Sequence, residues 1–375
     1  MASSGLQRAR TVLVTKPAPQ PNPGGPTSGA SRLRYLGNKT RVVRAIMRAL
    51  GDAPTNGGRF VDIMSGTGAV AQWAAQTGWR VHINDHLSSA VCTSVAGLAR
   101  ESDVPFAVRD GYVQAIQDLN EARPTRRFFA REYSRPLDLS APGRMYFTRS
   151  NAMKIDAIRA TIAAWQQLGQ ITQLEHMVLL SDLMLATNAV ANIAGTYGCF
   201  MSKWQPNALR PLRLIPRALR ADGAPAFSWS RDDADAVATT REDVVYLDPP
   251  YTKRQYAAYY HILETLACED VPVVQGITGL RPWEQRSSDF CYKRKAKVAL
   301  ERLAAGLSAG RLLMSYSNEG HLTESAILDV LSQHGKVTVK RIGAIGRYLS
   351  NQDAKKNGET VEELLFDVRM GGRSP

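Results

Sequence analysis

A short apolar segment, Arg59 to Met64 (RFVDIM), runs into the turn Ser65-Gly66-Thr67-Gly68 and then into an alanine-rich stretch, AVAQWAAQTG. A second apolar segment, WRVHIND, follows and ends on Asp85. Few folds accommodate that order. A strand feeding a glycine turn, a helix and a second strand is a βαβ unit, and parallel strands joined this way belong to a sheet with helices packed on its faces. DVVYLDPPY from Asp243 and GRLLMSYSNEG from Gly310 read as two more strands of that sheet, while KVTVKRIG and VEELLFDVR read as an antiparallel pair closing its end. Upstream, TRVVRAIMRALG reads as a short amphipathic helix stopped by Gly51. The expected fold class is α/β, a doubly wound Rossmann-like sheet.

Spacing sets the domain organisation. Gly66 and Asp248 lie 182 positions apart, whereas successive βα units need only about 30 residues each. The excess defines an insert over residues 105–224. Its first part is polar, aromatic and Arg-rich (RRFFAREYSRP). Its second part is helical, with Ile155, Ile158, Ile162 and Trp165 at helical spacing and then LEHMVLLSDLMLATNAVANIAG. Residues 1–31, rich in Pro, Gly and Ser, read as a disordered basic tail. The main α/β domain is then discontinuous, 32–104 and 225–371.

The net charge of +13 is unevenly placed: the first 50 residues hold nine Arg or Lys and no acid, and Lys203 to Arg220 holds five with no acid. Such stretches attract phosphates, but they also serve as ordinary solvated faces. No apolar run reaches the roughly 18 residues of a membrane span, and no secretory leader is expected. Cys92, Cys199, Cys268 and Cys291 are widely spaced and form no C-x-x-C pair. Neither a disulfide framework nor a metal site is expected, and a reducing cytoplasm is the expected compartment.

The strand end Asp248-Pro249-Pro250-Tyr251 has the composition for one particular chemistry. The amino group of an aromatic base is a poor nucleophile, because its lone pair is delocalised into the ring. A carboxylate and a rigid backbone carbonyl side by side can hold that nitrogen near tetrahedral geometry, and the prolines fix the backbone. Tyr251 can stack on a base that has left a duplex. The turn Asp62-x-x-Ser65-Gly66-Thr67-Gly68 offers small residues and helix N-terminal amides to a cofactor. Asp85 suits ribose hydroxyls, of a nicotinamide, a flavin or S-adenosylmethionine, or else it caps the helix that follows. RYLGNKT (Arg34–Thr40) lacks the glycine spacing of a phosphate loop, yet Lys39 can pair with a carboxylate. Arg254, Gln255, Tyr256, Tyr259, Tyr260 and His261 follow the catalytic turn and either touch DNA or wall the site, and Asn318 and Glu319 end the next strand near the same rim.

The ordered set RYLGNK, FVDIMSGTG, INDH, a long insert, YLDPPY and LLMSYSNEG resembles the alpha group of adenine-specific DNA methyltransferases, the Dam-like enzymes. The strings DPPYTKRQYAAYYHILETLA and KIDAIR…NAVANIAGTYGCF resemble the FokI-type methylases of restriction–modification systems more closely. The resemblance covers roughly residues 32–370. It implies a site-specific methyltransferase that moves a methyl group from S-adenosyl-L-methionine to adenine N6 in double-stranded DNA, by base flipping and direct transfer. It assigns Tyr35, Gly37 and Lys39 to the methionine end of the cofactor, Asp62, Ser65, Gly66 and Gly68 to the glycine motif, and Asp85 to the ribose. Asp248, Pro249, Pro250 and Tyr251 become catalytic. Asp233, with Asp232 as competitor, matches the acid that helps frame the target base. Met64-Ser65 stands where the family commonly has an aromatic.

The insert then becomes a target-recognition domain, with Arg126, Arg127, Arg131, Arg135, Arg144 and Arg149 as candidate contacts to guanine or phosphate. The partners implied are double-stranded DNA and a separately encoded restriction endonuclease, with the methylase monomeric and needing neither metal nor membrane. Three alternatives stay open on the residues alone: an RNA base-amino methyltransferase, an idle DNA-binding specificity module, and a nicotinamide oxidoreductase, which would leave Asp248–Tyr251 unexplained.

Overall fold

Alternation of side chains along four buried strands builds two cores, one on each face of a single sheet. In β1 (Arg59–Asp62) Phe60 faces one core and Val61 the other. In β4 (Val244–Leu247) Val244 and Tyr246 share the face of Phe60, while Val245 and Leu247 point oppositely. β5 (Arg311–Ser317) and β7 (Val361–Met370) repeat the pattern: Leu313 and Leu365 lie on the first face, Leu312, Met314, Leu364, Phe366 and Val368 on the second. Strands buried on both faces read as near-continuous apolar runs, which is why these segments stand out in the sequence.

The structure is a computed structural model, and it describes Lys39 and residues 42–135, 143–345 and 361–371. The expected tail, together with Tyr35 and Gly37, lies outside the described residues. The sheet has seven strands in the order β3-β2-β1-β4-β5-β7-β6, where β2 is Arg80–Asn84, β3 is Phe227–Ser230 and β6 is Gly335–Ile345. The first five run parallel; β7 is antiparallel to both β5 and β6. The closing antiparallel pair is as the sequence suggests, with one addition: β7 slots between β5 and β6, so the last strand of the chain is interior. β3 (FSWS) gives no sequence signal, because it is four residues long and only half-buried at the sheet edge.

Helix α1 (Val43–Leu50) ends at Gly51, φ 82°, whose N–H bonds back to Met47. Helices α2 (Ala69–Gln76) and α3 (Ser88–Leu98) follow β1 and β2. The inserted segment holds α4 (Tyr112–Glu121), α5 (Phe128–Glu132), α6 (Arg149–Gln167) and α7 (Gln173–Ala189). Thr148 caps α6 and Thr172 caps α7, the latter in a reciprocal capping box with Glu175. α7 packs against α3, so the insert rests on the sheet's own helices. After β4 come α8 (Tyr256–Tyr259), α9 (His261–Cys268) and α10 (Ala296–Gly306), then α11 (Glu324–Leu331) after β5. No helix among the described residues is long and apolar enough to cross a membrane.

The basic run from Lys203 to Arg220 is not one solvated face. It crosses α4 and α6 as an extended strap held by asparagines: Asn151 binds the Ala208 and Arg210 carbonyls and the Leu212 amide, and Asn120 binds both backbone groups of Leu214. Arg217 turns inward, 2.5 Å from the buried Asp182, which also accepts the Tyr112 hydroxyl at 2.7 Å. Arg220 reaches the carbonyls of Leu98 and Ala75. Lys203, Arg210 and Arg213 remain exposed. Removing one partner from a buried pair leaves an uncompensated charge, costing about 3–5 kcal/mol. Asp182→Ala should therefore lower unfolding stability by about that much, read as a shifted denaturant midpoint.

Candidate active site

The C-terminal ends of β1, β2 and β4 open onto one cavity, lined among others by Lys39, Asp62, Ser65, Gly66, Asp85, Asp248, Pro249, Pro250 and Tyr251. That is the end at which open α/β sheets bind ligands. The turn after β1 is shaped by two glycines. Gly66 (φ 54°) donates its N–H to Asp85 Oδ2 at 3.0 Å. Gly68 (φ 70°) begins α2 so close to α3 that an added Cβ would lie 2.8 Å from Ser94. Gly68 thus serves helix packing, and Gly66 and Ser65 form the cavity wall.

Asp85 takes the capping role and also holds the glycine turn. Its Oδ1 accepts the Leu87 N–H at 3.0 Å, steadying the start of α3, while its Oδ2 holds Gly66. A carboxylate offers about four lone-pair sites, so two remain for a ligand's hydroxyls. Asp62 is fully buried, and its Oδ1 has no hydrogen-bond partner among the described residues. Burial pushes its carboxyl well above the usual range, and neighbouring Asp248 and Asp85 push it further.

Beneath the cavity sits a charged cluster. Lys39 Nζ lies 2.8 Å from Asp248 Oδ1 and 2.9 Å from Glu363 Oε1, and the lysine is 4 % exposed. Burial alone would lower the ammonium pKa, but Asp248 and Glu363 outweigh it and hold it well above normal. Burial raises Asp248, against the pull of Lys39 and Ser315. Ser315 donates to the same Asp248 Oδ1 at 3.3 Å and lies 2.8 Å from the buried Tyr246 hydroxyl. Oδ1 is therefore engaged twice, and Oδ2 has no hydrogen-bond partner among the described residues. Tyr251 stands edge-on to Tyr316, and Lys39 lies 5.3 Å from its ring centroid. The backbone carbonyl of Tyr251 accepts the His321 N–H at 2.9 Å, which anchors the turn.

Other expected residues fall elsewhere. Gln255 is buried, and its amide clasps Ser288: Nε2 donates to the Ser288 carbonyl at 3.1 Å, and Oε1 accepts its N–H at 2.8 Å. It walls the pocket, the second of the two roles open to it. Tyr256 lines the cavity with it, whereas Arg254 does not. Asp233 is exposed at the end of β3; with Asp232 it lines a neighbouring polar cavity beside Asn84 and His86, and neither lines the cavity of Asp248. β3 lies three places from β4 in the sheet, which is the physical reason. Tyr259 and His261 bind the insert: Tyr197 donates to the Tyr259 carbonyl, and His261 Nε2 contacts the Tyr197 carbonyl, with burial pushing His261 down to about 4. Among the insert arginines, Arg126, Arg127, Arg131 and Arg135 are exposed. Arg149 is half-buried at the start of α6. Arg144 is spent on Glu132 and the Gly276 and Ile277 carbonyls.

Sequence reasoning missed Tyr246, Ser315 and Glu363. Parity was the available signal: the apolar residues Leu364, Phe366 and Val368 fix one face of β7 and put Glu363 on the other.

A strand-end carboxylate beside two prolines and an aromatic, sharing its cavity with a glycine turn and a second strand-end acid, defines the class of amino-group methyltransferases. Residues 35–325 match the family of D12 class N6 adenine-specific DNA methyltransferases, and the chain belongs to that family. It is similar to the modification methylase StsI of Streptococcus sanguinis, 30% identical over 347 residues, covering 90% of this chain and 52% of that protein. Similarity to the type II methyltransferase M.FokI of Planomicrobium okeanokoites is also 30%, over 90% of this chain and 52% of that protein. M.CviAII of Paramecium bursaria Chlorella virus 1 is 28% identical, over 90% of this chain and 98% of that protein. The chain thus spans about half the length of the first two relatives and nearly all of the third.

A carboxyl whose pKa is raised in the fold stabilises the fold while protonated, below its unfolded pKa. That contribution is lost as pH rises through the raised value. Asp62→Asn should therefore melt higher than the wild type in ligand-free form, with a gain larger at about pH 8 than at about pH 5. The same change should weaken binding of a cationic cofactor at least about tenfold, one lost charge-assisted hydrogen bond. Thermal melts and titration calorimetry check both parts.

Proposed function

We propose that the chain transfers the methyl group of S-adenosyl-L-methionine to the exocyclic N6 amino group of an adenine flipped out of double-stranded DNA. The observation that carries this reading is Asp248, with one oxygen fixed by Lys39 and Ser315 and the other without a partner among the described residues, lining a cavity shared with Asp62 and Asp85. The cavity fits the cofactor's chemistry. Its carboxylates suit a cationic ligand, the orphaned Asp62 Oδ1 matches an ammonium donor, and Asp85 has lone pairs left for ribose hydroxyls. When bound, S-adenosylmethionine supplies an electrophilic methyl group on a sulfonium.

The protein's part is to prepare the nucleophile. Asp248 Oδ2 and the Pro249 carbonyl accept the two N–H bonds of the amino group, drawing its lone pair out of ring conjugation, and Oδ2 takes the proton released on transfer. Tyr251, half-buried at the rim, stacks on the extrahelical base. Exposed Arg126, Arg127, Arg131 and Arg135 on the insert, with Lys203, Arg210 and Arg213 on the strap, supply the phosphate and base contacts. The relatives' names, StsI and LlaI modification methylases among them, support a restriction–modification setting with a separately encoded endonuclease. We place the enzyme on DNA in the cytoplasm, acting as a monomer.

The test is transfer of labelled methyl from S-adenosylmethionine to plasmid DNA and to ribosomal RNA. N6-methyladenine in DNA is expected, with Asp248→Ala slower by at least about 10²-fold while still binding the cofactor. Label confined to RNA, or an Asp248→Ala variant as fast as the wild type, contradicts the reading.

A further inference from the structure

Glu363 has no task in the chemistry above, and nothing in its packing asks for a carboxylate. It sits near the start of β7, 1 % exposed, opposite Ser317 of β5, and the next residue on its face is the fully buried Leu365. Neither of its oxygens accepts a well-formed hydrogen bond from a described residue, and burial raises its pKa against the pull of Lys39. A carboxylate in that setting costs stability, and one ion pair offsets the cost only in part. Its one ionic contact among the described residues is the Lys39 ammonium at 2.9 Å, which also lies 2.8 Å from Asp248.

The lysine side chain is long and flexible, and Lys39 lines the cofactor cavity, as does the orphaned Asp62, whereas Glu363 does not. With Asp248 alone to hold it, the ammonium could swing toward Asp62 and cancel the charge that a cationic cofactor needs. We propose that Glu363 is a positioning residue for methyl transfer: it anchors Lys39 from behind, keeping the ammonium on Oδ1 of Asp248 so that Oδ2 is the oxygen offered to the target amino group. This rests on the reading that Asp248 receives that amino group. The groups facing the ammonium are Asp248 and Tyr246 at the end of β4, Tyr251 in the turn beyond, and Glu363 on β7.

Glu363→Gln keeps the volume and removes the charge. Single-turnover transfer to DNA should slow at least about tenfold, with cofactor affinity within about twofold of the wild type, because the loss lies in the reacting geometry. The acid limb of the rate should move to lower pH, since one of two carboxylates competing for one ammonium is gone. In a Lys39→Met background the Glu363→Gln change should add nothing, because the glutamate acts through the lysine. Should Glu363→Gln fail to fold, judged by its melt, Glu363→Asp keeps the charge and should give a folded protein of intermediate rate. An unchanged rate, additive losses in the double variant, or a loss confined to cofactor affinity overturns the proposal. Asp248→Asn separates the premises: inactive Asp248→Asn beside normal Glu363→Gln sinks the anchoring role alone, whereas active Asp248→Asn sinks the reading of Asp248 itself.

Discussion

One lysine ammonium stands between two carboxylates that the fold has taken out of water, and the site is assembled around it. Lys39 precedes α1, Asp248 ends β4 and Glu363 sits near the start of β7, so three distant parts of the chain meet at one charge. Any of the three alone would be a costly buried ion. Together they specify a geometry: Lys39 and Ser315 occupy one oxygen of Asp248, and the Tyr246 hydroxyl backs Ser315. The sheet's antiparallel end is part of this arrangement. Because β7 inserts between β5 and β6, Glu363 is brought beside β5. The closing strands are therefore part of the active-site floor as well as an edge to the sheet.

The cavity above that floor carries more negative charge than Lys39 can answer. Asp62, Asp85 and Asp248 all line it, and burial raises the pKa of each. Ligand-free, such a site strains the fold, and a cation-bearing ligand relieves the strain, a trade between stability and function common at binding sites. The surrounding wall is tightly braced. Glu264 holds the first amides of α3, Gln255 clasps Ser288, and the His86 and Arg286 side chains each reach the other's backbone carbonyl.

Much of this was legible in the sequence, and the reasons are physical. Strands buried on both faces announce themselves as apolar runs, and the glycine turn and Asp248–Tyr251 are contiguous, so local reading finds them. β3 was invisible because a four-residue edge strand with no fully buried residue has no such pattern. The resemblance assigns Asp233, with Asp232 as competitor, toward the target base, but sheet order puts both beside β2. Gln255 reads equally as a DNA contact or a wall of the site, and Arg144 as a candidate DNA contact; both are engaged by backbone partners that no local pattern reveals. Lys39 was expected to meet a carboxylate; which carboxylates depended on tertiary contacts.

The most direct test of the account is the structure of the protein with a target duplex and a non-reactive analogue of S-adenosylmethionine. The account predicts an extrahelical adenine with its N6 within about 3 Å of both Asp248 Oδ2 and the Pro249 carbonyl, and Lys39 still on Oδ1. An adenine amino group bound away from Asp248, or Lys39 drawn off to the cofactor's carboxylate with Glu363 left behind, would contradict it.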